Sequence, residues 1–456
     1  MPHPLTIANA SAFWGDQPDA AARLVAAVPD LDYLTLDYLA ELSLSIMAGM
    51  RAKDPAAGYA RDFVDVVRSL VPFYRNGGKT KIVTNAGGLA PEACAAAVQA
   101  EMAAAGLSRL RIAIVKGDDV LPLLKASTGN FANLETDAAL VTVADRLVTA
   151  NAYLGAAPIA DALRAGADIV ITGRVADPSL TVGPCLAHYG WNANDYNRIA
   201  GATVAGHLIE CGAQVCGGFS TEWLSLPHPE NTPFPIAEVA DDGSCVITKP
   251  PGSGGAVTLE TVKEQLLYEV GDPGRYLSPD ATVSFLSLAV ESVGCNRVRV
   301  SGAAGAAPPA TYKVSATYRD GYKAHGLLTI FGHDAVKKAR HAGDAVLHRL
   351  RAAGCVYRES LVECLGTGAS VRGIVSRMSD THLVETVLRI SVAADTKEPV
   401  ERFTKEIAPL VTCGPQGVTG YATGRPKVLP ILGYWPCTIP CDAVKPQMRL
   451  LPAVNH

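Results

Sequence analysis

The chain has 456 residues, of which 48% are hydrophobic and 18% charged, and its formal net charge is −4. This length is too great for one typical hydrophobic core and predicts two domains, while the composition excludes a disordered or fibrous protein. The chain has no dense run of Lys and Arg, so nucleic acid is not an expected partner.

The sequence predicts a cytoplasmic protein without a membrane segment. No apolar run reaches the roughly 18–20 residues that a bilayer-spanning helix needs, because Gln99 and Glu101 interrupt the Ala-rich stretch 93–105. The first residues lack the basic segment and apolar core of a signal peptide. The 11 cysteines are scattered and odd in number, which is typical of free thiols in a reducing compartment.

Strand and helix patterns alternate over the first half of the chain. In chain order, strands are predicted at the starts of LTIANASAFWGD (5–16), DYLTLDYLAEL (32–42), KIVTNAGGL (81–89), RIAIVKGDDV (111–120), LVTANAYLG (147–155) and DIVITGRVADPSL (168–180). Helical patterns lie between them, as where Phe63, Val66 and Val67 recur at helical spacing. The alternation predicts an α/β domain over residues 1–225, built on a doubly wound, mostly parallel sheet.

Residues 226–456 are predicted to form a second domain, of the α+β type. Segment 227–255 is rich in Pro, Gly and Asp, which is typical of a connection, and a short hairpin is expected inside it. A helix capped by Thr258 should follow. Beyond it, strand patterns at 282–302 and 311–332 predict further sheet, with a hairpin turn at Asp320-Gly321.

Three loops that follow buried strands carry the polar residues with the clearest chemical potential. They contain Asn85, Gly87, Gly88, Asp118, Asp119, Arg174 and Asp177. In an open α/β sheet such loops meet at the carboxyl edge of the strands, where ligands bind. We therefore expect an active site here.

Each loop suggests a role and also allows a purely structural one. The carboxylates at 118, 119 and 177 are candidates for general acid–base catalysis or for binding a divalent cation such as Mg²⁺, and helix capping is the alternative for Asp118 and Asp119. Arg174 suits the binding of a substrate carboxylate or phosphate, and the alternative is a purely structural ion pair with Asp177. The loop 85–88 precedes a helix whose backbone N–H groups could bind an anion, and the alternative is a tight turn without a ligand.

A further loop, KPPGSGGAVTLET (249–261), predicts a second anion site. Lys249 with the backbone donors of Gly254 and Gly255 would hold a phosphate of a nucleotide or of coenzyme A, and a flexible hinge is the alternative. The segment HLIECGAQVCGGFS (207–220) admits a Cys–His nucleophilic pair, although cysteine is commonly buried and inert. The histidines lack the spacing of a preassembled zinc site, so no metal ligands are assigned. No cofactor is predicted to be required, while Mg²⁺, and coenzyme A as part of the substrate, stay open.

The order and the amino-acid sequences of these segments resemble those of the acyclic terpene utilisation AtuA family over nearly the whole chain. The resemblance rests on ANASAFWGD, DYLTLDYLAE, VTNAGGL, the KGDD loop, NAYLGAAPI, TGRVADPSL, HLIECGAQVCGGF, KPPGSGGAVTLETVKEQLLYEVGDP and GPQGVTGYATGRPKV. Many relatives carry a small ferredoxin-like domain at the C-terminus. For this chain, the resemblance therefore implies that a small ferredoxin-like partner subunit could supply the function of that domain.

The resemblance implies a place in the breakdown of terpenes through acyl-CoA intermediates, but it brings no catalytic residues with it. The leading hypothesis is a homo-oligomeric lyase or hydratase acting on a branched acyl-CoA or a small carboxylate, with the catalytic and binding residues named above. Two alternatives stay open: an ATP- and Mg²⁺-dependent ligase or hydrolase, and a non-catalytic subunit of a carboxylase-like complex.

Overall fold

The chain divides into two units, residues 1–317 with 434–456, and residues 318–433. They are seen in a computed structural model that describes residues 3–127, 129–371, 373–374, 383–419 and 424–452. The domain boundary expected at residue 226 falls inside the first unit. The resembling segment GPQGVTGYATGRPKV, at 414–428, lies partly outside the described residues.

The strands lie throughout the chain. They are β1 (Leu5–Asn9), β2 (Tyr33–Leu36), β3 (Lys81–Thr84), β4 (Ile112–Lys116), β5 (Leu147–Ala152), β6 (Ile169–Thr172), β7 (Ile236–Val239), β8 (Cys245–Thr248), β9 (Tyr276–Leu277), β10 (Thr282–Ser284), β11 (Ala289–Gly294), β12 (Arg297–Ser301), β13 (Ala304–Ala306), β14 (Thr311–Phe331), β15 (Glu359–Leu365), β16 (Glu385–Ala394), β17 (Leu429–Pro440) and β18 (Gln447–Leu450).

The α-helices fill most of the intervals between the strands. They are α1 (Ala20–Ala27), α2 (Ser43–Arg51), α3 (Asp62–Ser69), α4 (Val71–Arg75), α5 (Pro91–Ala104), α6 (Leu121–Ala126), α7 (Ala157–Arg164), α8 (Ser179–Tyr189), α9 (Tyr196–Glu210), α10 (Leu259–Leu267), α11 (Ala335–Ala352), α12 (Lys397–Thr404) and α13 (Leu410–Cys413).

The first unit is built on a mixed sheet in the order β11-β12-β8-β7-β1-β2-β3-β6-β4-β18. The central block β1-β2-β3-β6-β4 is parallel, and the pairs at both ends are antiparallel. The α/β prediction is confirmed, as is the hairpin expected inside 227–255, which is β7–β8. The doubly wound arrangement stays a prediction.

Apolar runs account for the parallel block. Every residue of β2 and β6 is buried, as expected for parallel strands that are covered on both faces. Phe63 and Val67 of α3 and Val98 of α5 belong to the same buried cluster as Ile82 and Ile171 of the sheet. Burying each such large side chain stabilises the fold by roughly 1.5–3 kcal/mol.

Helix α10 begins with the cap that the sequence predicts. The Thr258 side chain accepts a hydrogen bond from the backbone N–H of Thr261, and the Thr261 hydroxyl accepts one from the backbone N–H of Thr258. This reciprocal pair satisfies donors that the first helical turn leaves without an intrahelical partner.

The second unit contains an antiparallel sheet covered by α11. Strand β16 pairs with β15 on one side and with residues 322–331 of β14 on the other. Val346 and Leu350 of α11 share a buried cluster with Leu328 and Ile390 of the sheet.

The hairpin predicted at Asp320-Gly321 is wrong, because β14 continues as one strand through these residues. Gly321 has φ +89°, and a Cβ there would lie 2.4 Å from the carbonyl oxygen of Ala394. The Asp-Gly pair therefore serves a left-handed position and a close backbone approach within the strand.

Within the described residues, none of the helices combines the length and the apolar character that crossing a membrane would require.

Candidate active site

Polar residues lie at the carboxyl ends of the parallel strands. Asp37 follows β2 and Asn85 follows β3, while Asp118 and Arg174 come two residues after β4 and β6. All four are buried. This edge of the sheet is the one at which the sequence predicts a site.

A cleft with two neighbouring lobes opens beside these residues. The first lobe has a volume of about 490 Å³ and includes Asp37, Arg174, Cys211, Gln214 and Tyr268 in its lining. The second has a volume of about 380 Å³ and includes His207, Tyr276, Tyr312 and Lys313. The two lobes share Glu41, Tyr153, Asp177, Glu210 and Glu269. Both volumes are in the range of small-molecule sites.

Arg174 lines the first lobe but is engaged mainly by the chain itself. Its side chain is 2% exposed and forms an ion pair with Asp177. Its guanidinium also donates to the carbonyl oxygens of Leu39 and Val175, and its Cζ lies 4.4 Å from the centre of the Tyr153 ring. Arg174 and Asp177 thus meet at the cleft as predicted, in the ion pair that the sequence left open as a structural alternative. The predicted role of Arg174 in binding substrate stays a prediction.

Asp118 and Asn85 lie behind the cleft lining. Asp118 Oδ2 accepts hydrogen bonds from the backbone N–H of Arg174 at 2.9 Å and from Asn151 Nδ2 at 2.8 Å. Asn85 Nδ2 donates to Asp37 Oδ1 at 2.6 Å. Neither Asp118 nor Asn85 is among the residues that line the two lobes. Their contacts hold the residues of the cleft wall in place.

The neighbouring carboxylate has a local role. Asp119 is exposed, and its Oδ1 accepts a hydrogen bond from the backbone N–H of Leu121 at 3.1 Å, where α6 begins. This is a local hydrogen bond of the Asx-turn type beside α6, whose N-cap residue Val120 has no side-chain cap, and the catalytic role of Asp119 stays a prediction.

Burial raises the pKa of Asp118 to about 6, and the hydrogen bonds from Arg174 and Asn151 oppose this rise. When the pKa of an acid is higher in the folded chain than in the unfolded chain, its contribution to the free energy of unfolding falls as the pH rises from the unfolded pKa to the folded pKa. A rise from the ordinary value of 3.8 to about 6 corresponds to about 3 kcal/mol.

The D118N variant should therefore gain stability relative to the natural chain between about pH 4 and about pH 6, by up to about 3 kcal/mol. Both hydrogen bonds end on Oδ2, so an asparagine carbonyl can accept both. Urea unfolding across this pH range measures the difference. D242N is the control, because the Ser244 hydroxyl lowers the pKa of Asp242, so the pH dependence that this variant removes lies below about pH 4 and its curve should run parallel to that of the natural chain across this range. Parallel pH curves for D118N and the natural chain would contradict the prediction.

Gly87 and Gly88, in the loop between β3 and α5, allow this loop to pack closely against β6, α5 and α2. A Cβ on Gly87 would lie 2.5 Å from the carbonyl oxygen of Thr172 and 2.7 Å from Pro91 Cβ. Gly88 has φ +51°, and a Cβ there would lie 2.3 Å from Met47 Sδ. These contacts account for both glycines through packing, whereas their predicted role in anion binding stays a prediction.

Replacing Gly87 with alanine should destabilise the fold by about 1–3 kcal/mol, because the contacting atoms belong to backbone and to a rigid ring. G49A is the matched control. Gly49 lies exposed in α2 with open space around it, so alanine there should stabilise the fold by about 1 kcal/mol. Thermal unfolding of both variants measures the two effects. Equal melting temperatures for G87A and G49A would contradict this account of Gly87.

Lys249, Gly254 and Gly255 do not join the cleft. Lys249 Nζ donates to the carbonyl oxygen of Ser253 at 2.7 Å. The backbone N–H groups of Gly254 and Gly255 donate to the carbonyl oxygens of Asn231 and Pro227, at 2.9 and 2.7 Å. The two glycine donors thus tie this loop to segment 227–231, and the residues predicted to bind anions lie in two separate places.

A His–Glu pair at the end of α9 was not among the predicted catalytic residues. His207 is buried, its Nδ1 lies 3.2 Å from Glu210 Oε1, and its Nε2 lies 2.9 Å from the carbonyl oxygen of Gln265. Asn9 Nδ2, at the end of β1, donates to the carbonyl oxygens of Ile209 and Glu210 and so fixes this end of the helix.

The hydrogen bonds of His207 place one proton between its ring and Glu210. A carbonyl oxygen only accepts, so Nε2 carries a proton and donates it to Gln265. The contact between Nδ1 and Oε1 must then hold a second proton, on either partner. Burial raises the pKa of Glu210, whereas the hydrogen bond from His207 lowers it. Burial lowers the pKa of His207, and the hydrogen bond to Glu210 raises it.

Glu210 also presents an unused oxygen. Its side chain is 11% exposed, and Oε2 is buried without a hydrogen-bond partner among the described residues. Because Glu210 lines both lobes, this carboxyl group is placed to exchange a proton with a bound molecule. The Cys–His alternative is not favoured, since burial raises the pKa of the Cys211 thiol and so disfavours the reactive thiolate.

The cleft lining is rich in carboxylates. In Asp37, burial raises the pKa more than Arg174 and Asn85 lower it. Across the described part of the chain, no group of three or more His, Cys, Asp or Glu side chains has an arrangement that could hold a metal ion.

The fold and the cleft define an α/β protein with a small-molecule-sized site at the carboxyl edge of its parallel strands. A family model described as acyclic terpene utilisation family protein AtuA matches residues 5–450. The chain belongs to this family, which the sequence resemblance predicted. No curated protein and no solved structure matches the chain.

Proposed function

We propose that the chain is a catabolic enzyme of the lyase or hydratase type, acting on a branched acyl-CoA or a small branched carboxylate. The family description supports a role in terpene utilisation. The observation that carries the reaction class is the Glu210 carboxyl group, with one oxygen bonded to His207 and the other unpartnered in the cleft wall.

Addition of water to a carbon–carbon double bond, or its elimination, needs a group that takes a proton from one atom and returns it to another. Glu210 and His207 share such a proton, and burial keeps the pKa of Glu210 above its ordinary value. A carboxyl group with a raised pKa is a better proton donor near neutral pH than an ordinary glutamate. Asp177, which lines both lobes, is the second carboxylate that could orient water.

The test is an assay of purified protein with branched unsaturated acids and with their CoA thioesters. Water addition is followed by the loss of enoyl absorbance and by the mass gain of one water. We expect turnover with at least one member of the panel. Absence of turnover with every member, together with hydrolysis of ATP in the presence of Mg²⁺, would replace this proposal with the ligase or hydrolase alternative.

A further inference from the structure

Lys313 is an exposed residue that lines the second lobe, and the proposed proton transfer does not use it. Lys313 lies in β14, where its carbonyl oxygen accepts a hydrogen bond from the backbone N–H of Tyr153 at 2.9 Å. Its Nζ lies 5.1 Å from the centre of the Tyr153 ring. Among the residues that the structure describes, neither a carboxylate nor a hydrogen-bond acceptor contacts Nζ. Its three N–H donors can therefore serve a ligand.

Arg174 is the other strongly basic residue in the lining of the cleft, and its situation is different. Its guanidinium already donates to Asp177 and to two carbonyl oxygens of the chain. An anion at Arg174 would compete with Asp177 for the same positive charge. Lys313 has no such competitor within contact distance, so it is the stronger anchor for an anionic group.

The rest of the second lobe combines apolar and acidic groups. Its apolar lining residues are Leu134, Ala176, Pro178, Leu277, Pro279 and Pro309. Four carboxylate-bearing residues, Glu41, Asp177, Glu210 and Glu269, line it as well. The apolar side chains suit a short aliphatic group. Repulsion from these carboxylates grows with the number of negative charges on a ligand, so a single carboxylate that contacts Lys313 is repelled less than a dianion or a coenzyme A thioester.

We infer that the second lobe binds a branched aliphatic acid as its free monocarboxylate, with Lys313 as the anchor of the carboxylate. The inference rests on the proposed function and narrows its substrate to the free acid. Coenzyme A carries several phosphate charges and a dicarboxylate carries two, and both are disfavoured by the acidic lining. Lys313 and Glu210 line the same lobe, so a carboxylate held by Lys313 would place its aliphatic part in the lobe that Glu210 also lines.

Binding of 3-methylbut-2-enoate, measured by calorimetry, tests the inference without requiring turnover. The probes for comparison are its neutral amide, its CoA thioester and a branched five-carbon dicarboxylate. K313M should weaken binding of the acid by at least about tenfold and leave binding of the amide unchanged, because it removes a charged hydrogen-bond donor. K313R keeps the charge and should retain acid affinity within about threefold. K125M, at an exposed lysine of α6 that lines neither lobe, is the control and should change nothing.

Three results would overturn the inference: equal losses of acid and amide binding in K313M, tighter binding of the thioester or dicarboxylate than of the acid, and no binding of the acid at all. Acid binding that depends on Lys313, without water addition in the activity assay, would support the anchor and contradict the proposed reaction. The two failures are thus distinguishable.

Discussion

Replacing Glu210 with glutamine is expected to lower the turnover number by about 10²–10⁴-fold while the fold is retained. The glutamine amide can still hydrogen-bond His207 Nδ1, so the end of α9 keeps its contact with the ring. It can neither give nor take a proton. The turnover number is measured with whichever substrate the activity assay identifies, and circular dichroism and thermal unfolding check the fold.

A second His–Glu pair provides the control for this experiment. His228 and Glu230 lie 3.4 Å apart with both side chains mostly exposed, and neither lines the cleft. E230Q removes the same charge from the same kind of pair, so it should leave turnover unchanged. Full activity in E210Q would exclude Glu210 as the proton-transfer group.

Replacing Arg174 with methionine is expected to destabilise the fold by about 3–5 kcal/mol. The substitution leaves the Asp177 carboxylate without its cation and two carbonyl oxygens without a donor. It also removes the cation that faces the Tyr153 ring. The free energy of unfolding of R174K should lie between those of R174M and the natural chain, because lysine keeps the charge but loses the planar guanidinium group. Urea unfolding measures all three proteins.

The matched control is an arginine whose ion pair is solvated. Arg61 contacts Asp54 at 2.7 Å, and both side chains are about half exposed, at 54% and 51%. R61M should cost less than about 1 kcal/mol, as is usual for surface ion pairs. If R174M proved as mild as R61M, the guanidinium would not hold the cleft wall together.

The parallel core of the fold was predictable because its signals are local. A run such as Ile169–Thr172 has three consecutive apolar β-branched residues and leads into a polar loop, which indicates a strand buried on both faces. The antiparallel strands at the sheet ends were not assigned to this sheet. β18 pairs with β4 although more than 300 residues separate them in sequence, and nothing in QMRL specifies that partner.

The candidate site was only partly predictable for a similar reason. Arg174 and Asp177 lie three residues apart after a strand, so their proximity follows from local geometry. His207 and Glu210 share that spacing on α9, and this was the signal available for their pairing. Which pair faces a cavity depends on packing. The buried residues of α9 lie on all sides of the helix, so its sequence shows no face that turns toward the cleft.

The pairing of β18 with β4 has a consequence for synthesis of the protein. Residues 447–450 leave the ribosome after the whole of the second unit, so the nascent first unit carries an uncovered β4 edge until then. An uncovered strand edge is a template for pairing with another chain. The second unit, made from one continuous segment, has no such delay and can complete its sheet earlier. Premature termination just before residue 447 would therefore release a chain with an exposed sheet edge and an increased tendency to aggregate.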